Sequence, residues 1–283
     1  MVVEMTRTVR LCLNDGPAAG ADGPPMATGR HNSYAAWPAM RGLGRYYELD
    51  VTCRGPVDPQ TGYFINIKRI DEAVRDHVLP DLESLLASST RPAAMMPMGQ
   101  LMQRMVNLLH QPLGGAVWEL AMRLTPRHSL TIRSRDMSHL TIRQQYEFSA
   151  AHRLHLPELS DEENQRLFGK CNNPAGHGHN YRLEVAVRAP IDEAGQVFPV
   201  EELDALVDRV VIQKLDHKHL NLDVPQFARL NPSVEHIAQV IWQMLAGQVG
   251  QLGSVEGASL EEVRVWETEK TVCTYRGEER AEK

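Results

Sequence analysis

One pattern in this chain occurs twice. The alternating run Tyr46-Tyr47-Glu48-Leu49-Asp50-Val51-Thr52-Cys53 has a near copy in Tyr181-Arg182-Leu183-Glu184-Val185-Ala186-Val187, and apolar residues recurring at a period of two mark a half-buried strand. A turn with Pro and Gly follows each run, from Pro56 to Gly62 and from Pro190 to Gly195,. Then comes a helical pattern: Ile67, Ile70, Asp71, Val74 and Val78 stand at one constant offset from Val200, Leu203, Asp204, Val207 and Val211. Each set carries the spacing of a single apolar helix face. A second helix is opened by Pro232-Ser233-Val234-Glu235, with Ile237, Val240, Ile241, Met244 and Leu245 on its apolar side; Pro97, Met102, Met105, Val106 and Leu109 lay out its counterpart,. Runs 263–267 and 271–275 read as closing strands. Each copy therefore reads β-β-α-α-β-β, with strands and helices in blocks, which predicts α+β architecture and not a doubly wound parallel sheet. The expectation is two tandem units, residues 1–139 and 140–283, each a four-stranded antiparallel sheet with two helices on one face. A chain of 283 residues has room for both,. The cluster Met95, Met96, Met98, Met102 and Met105 reads as helix and core filler.

Charge and cysteine usage narrow the classes of function. Thirty Lys and Arg face 36 Asp and Glu, a net charge of −6, and no basic block is long enough to track a phosphate backbone,. Nucleic acid is not an expected partner. Cys12, Cys53, Cys171 and Cys273 are scattered with no C-x-x-C pair, which points to a reducing compartment,. Neither a signal core nor a membrane-length apolar run is present, so a cytoplasmic protein without a membrane partner is expected. No dinucleotide or phosphate-loop glycine motif occurs.

The chemistry concentrates in the second copy. His177 and His179 form an H-x-H pair in an extended stretch, which projects both imidazoles from one face, and His152 in the upstream strand can supply a third,. Three imidazoles with a free fourth position suit a catalytic zinc site. The first copy places Leu43 and Arg45 opposite the paired imidazoles, and Leu82-Glu83-Ser84 opposite Leu215-Asp216-His217. Its reactive positions are gone while its fold-bearing positions remain, so one working site per chain is expected. His155, His219 and His236 read as surface groups.

Residues 142–277 resemble the 6-pyruvoyl-tetrahydropterin synthase and 6-carboxytetrahydropterin synthase family. The resemblance is carried by Phe-Ser-Ala-Ala-His-Arg-Leu (148–154), Gly-Lys-Cys-Asn-Asn-Pro-Ala-Gly-His-Gly-His-Asn-Tyr (169–181), Leu-Asp-His-Lys-His-Leu-Asn (215–221), Pro-Ser-Val-Glu-His (232–236) and Val-Trp-Glu-Thr (265–268). It implies the tunnelling fold, Zn2+ held by His152, His177 and His179, and 7,8-dihydroneopterin triphosphate as substrate. It implies a catalytic trio of Cys171, Asp216 and His217, with Cys171 as general base if nearby positive charge lowers its pKa. Glu267 would anchor the pterin ring through paired hydrogen bonds, and Glu235 is either a second substrate contact or only a first-turn helix charge.

Two products divide such enzymes. One branch keeps the three-carbon side chain; the other cleaves it, releasing acetaldehyde on the route to queuosine-type deazapurines. The spacing C-x5-H-G-H between Cys171 and His177 leans towards the pyruvoyl branch. The resemblance also implies a homo-oligomer in which Cys171 meets the Asp216-His217 pair of another chain. A homotrimer is favoured, with all second halves in one ring and all first halves in the other. A non-catalytic pterin- or purine-binding scaffold and a zinc hydrolase are the rivals from other classes.

Overall fold

The computed structural model describes residues 1–14, 32–87, 96–253 and 256–277. Its elements run β1 (Val2–Leu13), β2 (Arg45–Pro56), α1 (Ile67–Ala73), α2 (Leu79–Ala87), α3 (Met98–His110), β3 (Val117–Thr125), β4 (His128–Arg133), β5 (Asp136–His152) and α4 (Asp161–Phe168). They continue with β6 (His177–Pro190), α5 (Val200–Val207), α6 (Gln213–Leu215), β7 (Lys218–His219), α7 (Leu220–Asp223), α8 (Val234–Ala246), β8 (Ser259–Thr268) and β9 (Thr271–Tyr275). The chain divides into two compact units, Met1–Leu140 with Ile191–Val197, and Thr141–Pro190 with Phe198–Lys283. The excursion 191–197 groups with the first unit because the Ile191 N–H donates to the Ser138 carbonyl and the Gln100 N–H to the Gly195 carbonyl.

In the first unit the strands lie in the order β1-β2-β3-β4, all antiparallel. Alternation sorts their residues between two faces. Val9, Leu11, Leu49, Val51, Leu120 and Met122 are buried, on the side where Arg7 reaches Asp71 of α1 at 2.8 Å. The helices supply Ile70, Val74, Val78, Met102, Met105 and Leu109 to the same core. Ile67, expected on that apolar face, is instead 43 % exposed, at the first position of α1. The opposite face is a polar lattice: Thr6 with Thr52 at 2.8 Å, Arg10 with Glu48 at 3.0 Å, Arg123 with Asp50 at 2.7 Å. Of the methionine cluster, Met102 and Met105 are fully buried; Met95 lies outside the described residues.

The second unit orders its strands β5-β6-β8-β9, antiparallel at β6–β8 and β8–β9. The expected four-strand sheet gains a fifth member, since the two-residue β7 pairs parallel to β5 at Ala150 and Ala151. Tyr181, Leu183, Val185 and Val187 of β6, with Val263 and Val265 of β8, bury against Leu203, Val207, Ile237 and Ile241 of the helices. Here Asp204 of α5 accepts from the Tyr146 hydroxyl at 2.9 Å, a helix-to-sheet tie matching Asp71 with Arg7. Both units also share a π-helical turn after the first helix, Val74–Val78 and Asp208–Ile212. An extra helix, α4, adds to the two expected in this unit, and Ser160 and Glu163 form a full capping box at its start,.

Candidate active site

The metal-site histidines continue the alternation that builds the second core. On β6, Tyr181, Leu183 and Val185 face inward, and stepping back by twos puts His179 and His177 on that same face at the strand's start,. His152 ends β5 and is fully buried. Centroid separations are 4.6 Å for His152 and His177, 4.8 Å for His177 and His179, and 5.3 Å for His152 and His179. One ring nitrogen from each lies within 4.8 Å of the others. They are the metal-capable group found among the described residues.

Hydrogen bonding decides which nitrogen His152 offers. Its Nδ1 lies 2.7 Å from the Pro232 carbonyl; a carbonyl only accepts, so Nδ1 carries the proton and the Nε2 lone pair points into the cluster. There it faces His177 Nε2 at 3.2 Å. Burial pushes His152 down to about 4, with the neighbouring His177 and His179 lowering it further and the Pro232 carbonyl opposing. His177 is also lowered, by burial first and His179 next. Imidazole nitrogens gathered this closely, with protonation of His152 and His177 disfavoured, are what a divalent cation requires,. The buried and unpartnered His179 Nε2 is the kind of orphan that an ion would satisfy,. The residues fit the group.

Glu267 of β8 brings Oε1 to 3.5 Å from His152 Nε2 and 3.8 Å from His179 Nε2. Tyr181 stacks on Phe148 at 5.0 Å and meets His179 edge-on at 5.6 Å. Its buried hydroxyl has no hydrogen-bond partner, and its pKa is raised by burial first, then by the neighbouring Glu267 and Cys171. Tyr181 thus has both groups within electrostatic reach. Cys171 lies in the 3-10 turn Gly169–Asn172, whose Cys171 carbonyl accepts from Leu154 N–H at 2.9 Å, tying the turn to the chain just beyond His152.

Asp216 and His217 follow α6. The Ser149 N–H donates to Asp216 Oδ1 at 2.7 Å, and His217 Nδ1 meets Oδ2 at 2.7 Å, so both carboxylate oxygens are engaged. The Ser149 amide first and His217 next hold the Asp216 pKa below its ordinary value. His217 adopts φ +55, uncommon without glycine, and 83 % of its side chain is exposed,. No hydrogen bond or ion pair among the described residues joins Cys171 to this pair. Glu235 sits exposed in the first turn of α8, its pKa lowered by the Ser233 hydroxyl and then by its own N–H. In the first unit Leu43 is 97 % exposed, Arg45 opens β2 as an exposed residue, and Glu83 and Ser84 are exposed on α2.

A model of the 6-pyruvoyl tetrahydropterin synthase family matches residues 141–278. The 6-pyruvoyl tetrahydrobiopterin synthase of Poecilia reticulata is 47 % identical over 133 residues, 46 % of this chain and 86 % of the relative. The chain belongs to this family. The human 6-pyruvoyl tetrahydrobiopterin synthase is 46 % identical over 46 % of this chain and 87 % of its own length. A 6-carboxy-5,6,7,8-tetrahydropterin synthase of Haemophilus influenzae stands at 27 % over 38 % of the chain and 84 % of the relative. The structure of the Caenorhabditis elegans 6-pyruvoyl tetrahydropterin synthase aligns with a TM-score of 0.44 and 36 % identity, over 49 % of this chain and 96 % of that one.

Against the family's motifs, several neighbours escaped the sequence reading. His219, expected at the surface with His155 and His236, is half-buried beside the metal-site loop, with Nδ1 buried and unpartnered. A Cβ on Gly176 would meet His219 Nε2 at 2.7 Å and the His152 carbonyl at 3.0 Å, and φ there is +73, so glycine alone fits,. His155 Nδ1 contacts Asn172 Oδ1 at 3.1 Å and His236 Nδ1 the Asn231 carbonyl at 2.7 Å; both rings are half-buried, not free at the surface. Asn221 brackets Arg153, accepting from its N–H at 2.8 Å and donating to its carbonyl at 3.0 Å. A parallel pairing as short as β7 leaves no periodic signal, so its companions could not be placed from the sequence.

Proposed function

We propose that the second unit is a zinc-dependent lyase of the 6-pyruvoyl-tetrahydropterin synthase type, acting on 7,8-dihydroneopterin triphosphate with loss of triphosphate. The observation that carries the reading is the convergence of three imidazoles, one fixed in tautomer, within the segment that matches the family. Zinc bound by His152, His177 and His179 would supply Lewis-acid polarisation of a substrate side-chain oxygen and so acidify adjacent C–H groups. Cys171 takes a proton from the side-chain carbon, and His217, oriented by Asp216, is the second acid or base. Glu267 accepts from the pterin ring N–H and amino groups, and Glu235 is either a second substrate contact or only a first-turn helix charge. The pyruvoyl outcome is favoured because relatives at 46–47 % identity carry that name, against 27 % for the carboxy branch.

The exposure of His217 supports an intersubunit site, in which Cys171 of one chain meets Asp216 and His217 of another, in a homo-oligomer with a homotrimer favoured,. The first unit reads as a degenerate tandem copy, a tunnelling-fold unit without metal ligands; the shared element order, the π turns and the Asp71 and Asp204 ties support it. Incubating zinc-loaded protein with 7,8-dihydroneopterin triphosphate and analysing the products by mass tests the reading. A 6-pyruvoyl pterin with free triphosphate is expected. Acetaldehyde with a 6-carboxy pterin would move the assignment to the other branch, and unchanged substrate would overturn the lyase reading.

A further inference from the structure

The chain between β1 and β2 is far longer than their connection requires. The two strands pair down to Leu13 opposite Arg45, so a tight turn would join them. Instead residues 14–44 intervene, and of these, residues 32–41 lie along the outer edge of β1. In the first unit β1 is an end strand, with β2 on its inner side. Its outward-facing backbone groups in the C-terminal half would otherwise offer a template for another strand.

Three of those groups, on Thr8 and Arg10, are taken by the segment. The Asn32 side-chain amide acts as a strand residue would: its Oδ1 accepts from the Arg10 N–H at 3.0 Å and its Nδ2 donates to the Thr8 carbonyl. The Trp37 N–H then donates to the Arg10 carbonyl at 3.2 Å. Beyond the end of the strand, Asn14 donates to the Ala39 carbonyl at 3.1 Å and accepts from the Arg41 N–H at 2.7 Å. Two arginines hold the segment down. Arg10 donates to the Asn32 carbonyl at 3.3 Å and stacks over Tyr34 at 4.1 Å, while the buried Arg75 donates to the Trp37 carbonyl at 2.6 Å.

We propose that residues 32–41 are an edge guard: they occupy the strand-pairing edge of β1 from Thr8 to Arg10 and so deny that stretch to a second copy of this chain. The proposal stands apart from the lyase reading. One consequence bears on assembly: a ring of first units closing through this edge would first have to strip the segment away. Removal of the segment exposes that stretch of edge.

The test uses the full chain with residues 14–44 replaced by an Asn-Gly turn, and separately Asn32→Ala. Hydrogen exchange and sedimentation are compared with the parent. In Asn32→Ala the Arg10 amide should exchange about tenfold faster, the loss of roughly one hydrogen bond, while amides of β8 stay unchanged. The turn variant should form higher-mass species that grow with concentration, with the Arg10 amide protected again only in those species. An unchanged Arg10 exchange rate in Asn32→Ala would overturn the proposal, and so would a turn variant with the parent's mass distribution at every concentration. Should the turn variant fail to fold, Asn32→Ala decides alone.

Discussion

His152 has its proton assigned by the backbone and its lone pair spent on the centre of the cluster, and the other two imidazoles depend on a loop that only glycine can make. Gly176→Ala should therefore weaken metal binding about 10- to 100-fold, the range for disturbed outer-shell groups, measured by competition with a chromophoric chelator. The His152 carbonyl cannot yield as a flexible side chain would. His177→Ala should take bound metal from one ion per chain to near none by elemental analysis. Asp216→Asn should leave metal content untouched yet slow turnover by about a hundredfold or more, as expected for loss of general acid–base function. The H-x-H pair was legible because its parity with Tyr181 and Leu183 is written in the sequence. The Pro232 carbonyl was not legible, because it reaches His152 across 80 residues and leaves no side-chain signature.

The strands of the second unit carry a charged layer on the face away from the helices. Glu262 is 4 % exposed and meets Arg143 and Arg264 at 2.9 Å and Arg276 at 2.6 Å. Burial alone would raise its pKa; the three guanidinium groups overcome that and hold it below the ordinary 4.5. A depressed pKa contributes stability that is present above the unfolded value and is lost as pH falls through the folded one. Glu262→Gln should destabilise by about 2 kcal/mol near neutrality, less than a fully buried pair because the arginines keep much of their water. Urea unfolding should show that deficit narrowing as pH drops below about 4.5. The apolar half of each sheet was readable, since Leu49, Val51, Leu183 and Val185 alternate cleanly. The π turns were not, because apolar spacing of four residues is the same in a regular helix and in one widened by a residue. The short β7 depends on Ala150 and Ala151 far away in sequence.

For the molecule as a whole, the exposed His217, held by Asp216, sets the sharpest test of assembly. Chains carrying Cys171→Ala and chains carrying His217→Ala should each be inactive. Co-expressed in equal amounts, they should recover about a quarter of parental turnover if the site is shared between chains, since random pairing reunites the intact groups at that frequency. No recovery would put the two halves of the site on one chain. A consequence also follows from the acceptor that orients His152. It is a main-chain oxygen, which every amino acid at position 232 would supply. Substitution can therefore discard the ligands of this centre one codon at a time, but only a rerouted chain could unpin the ring they surround.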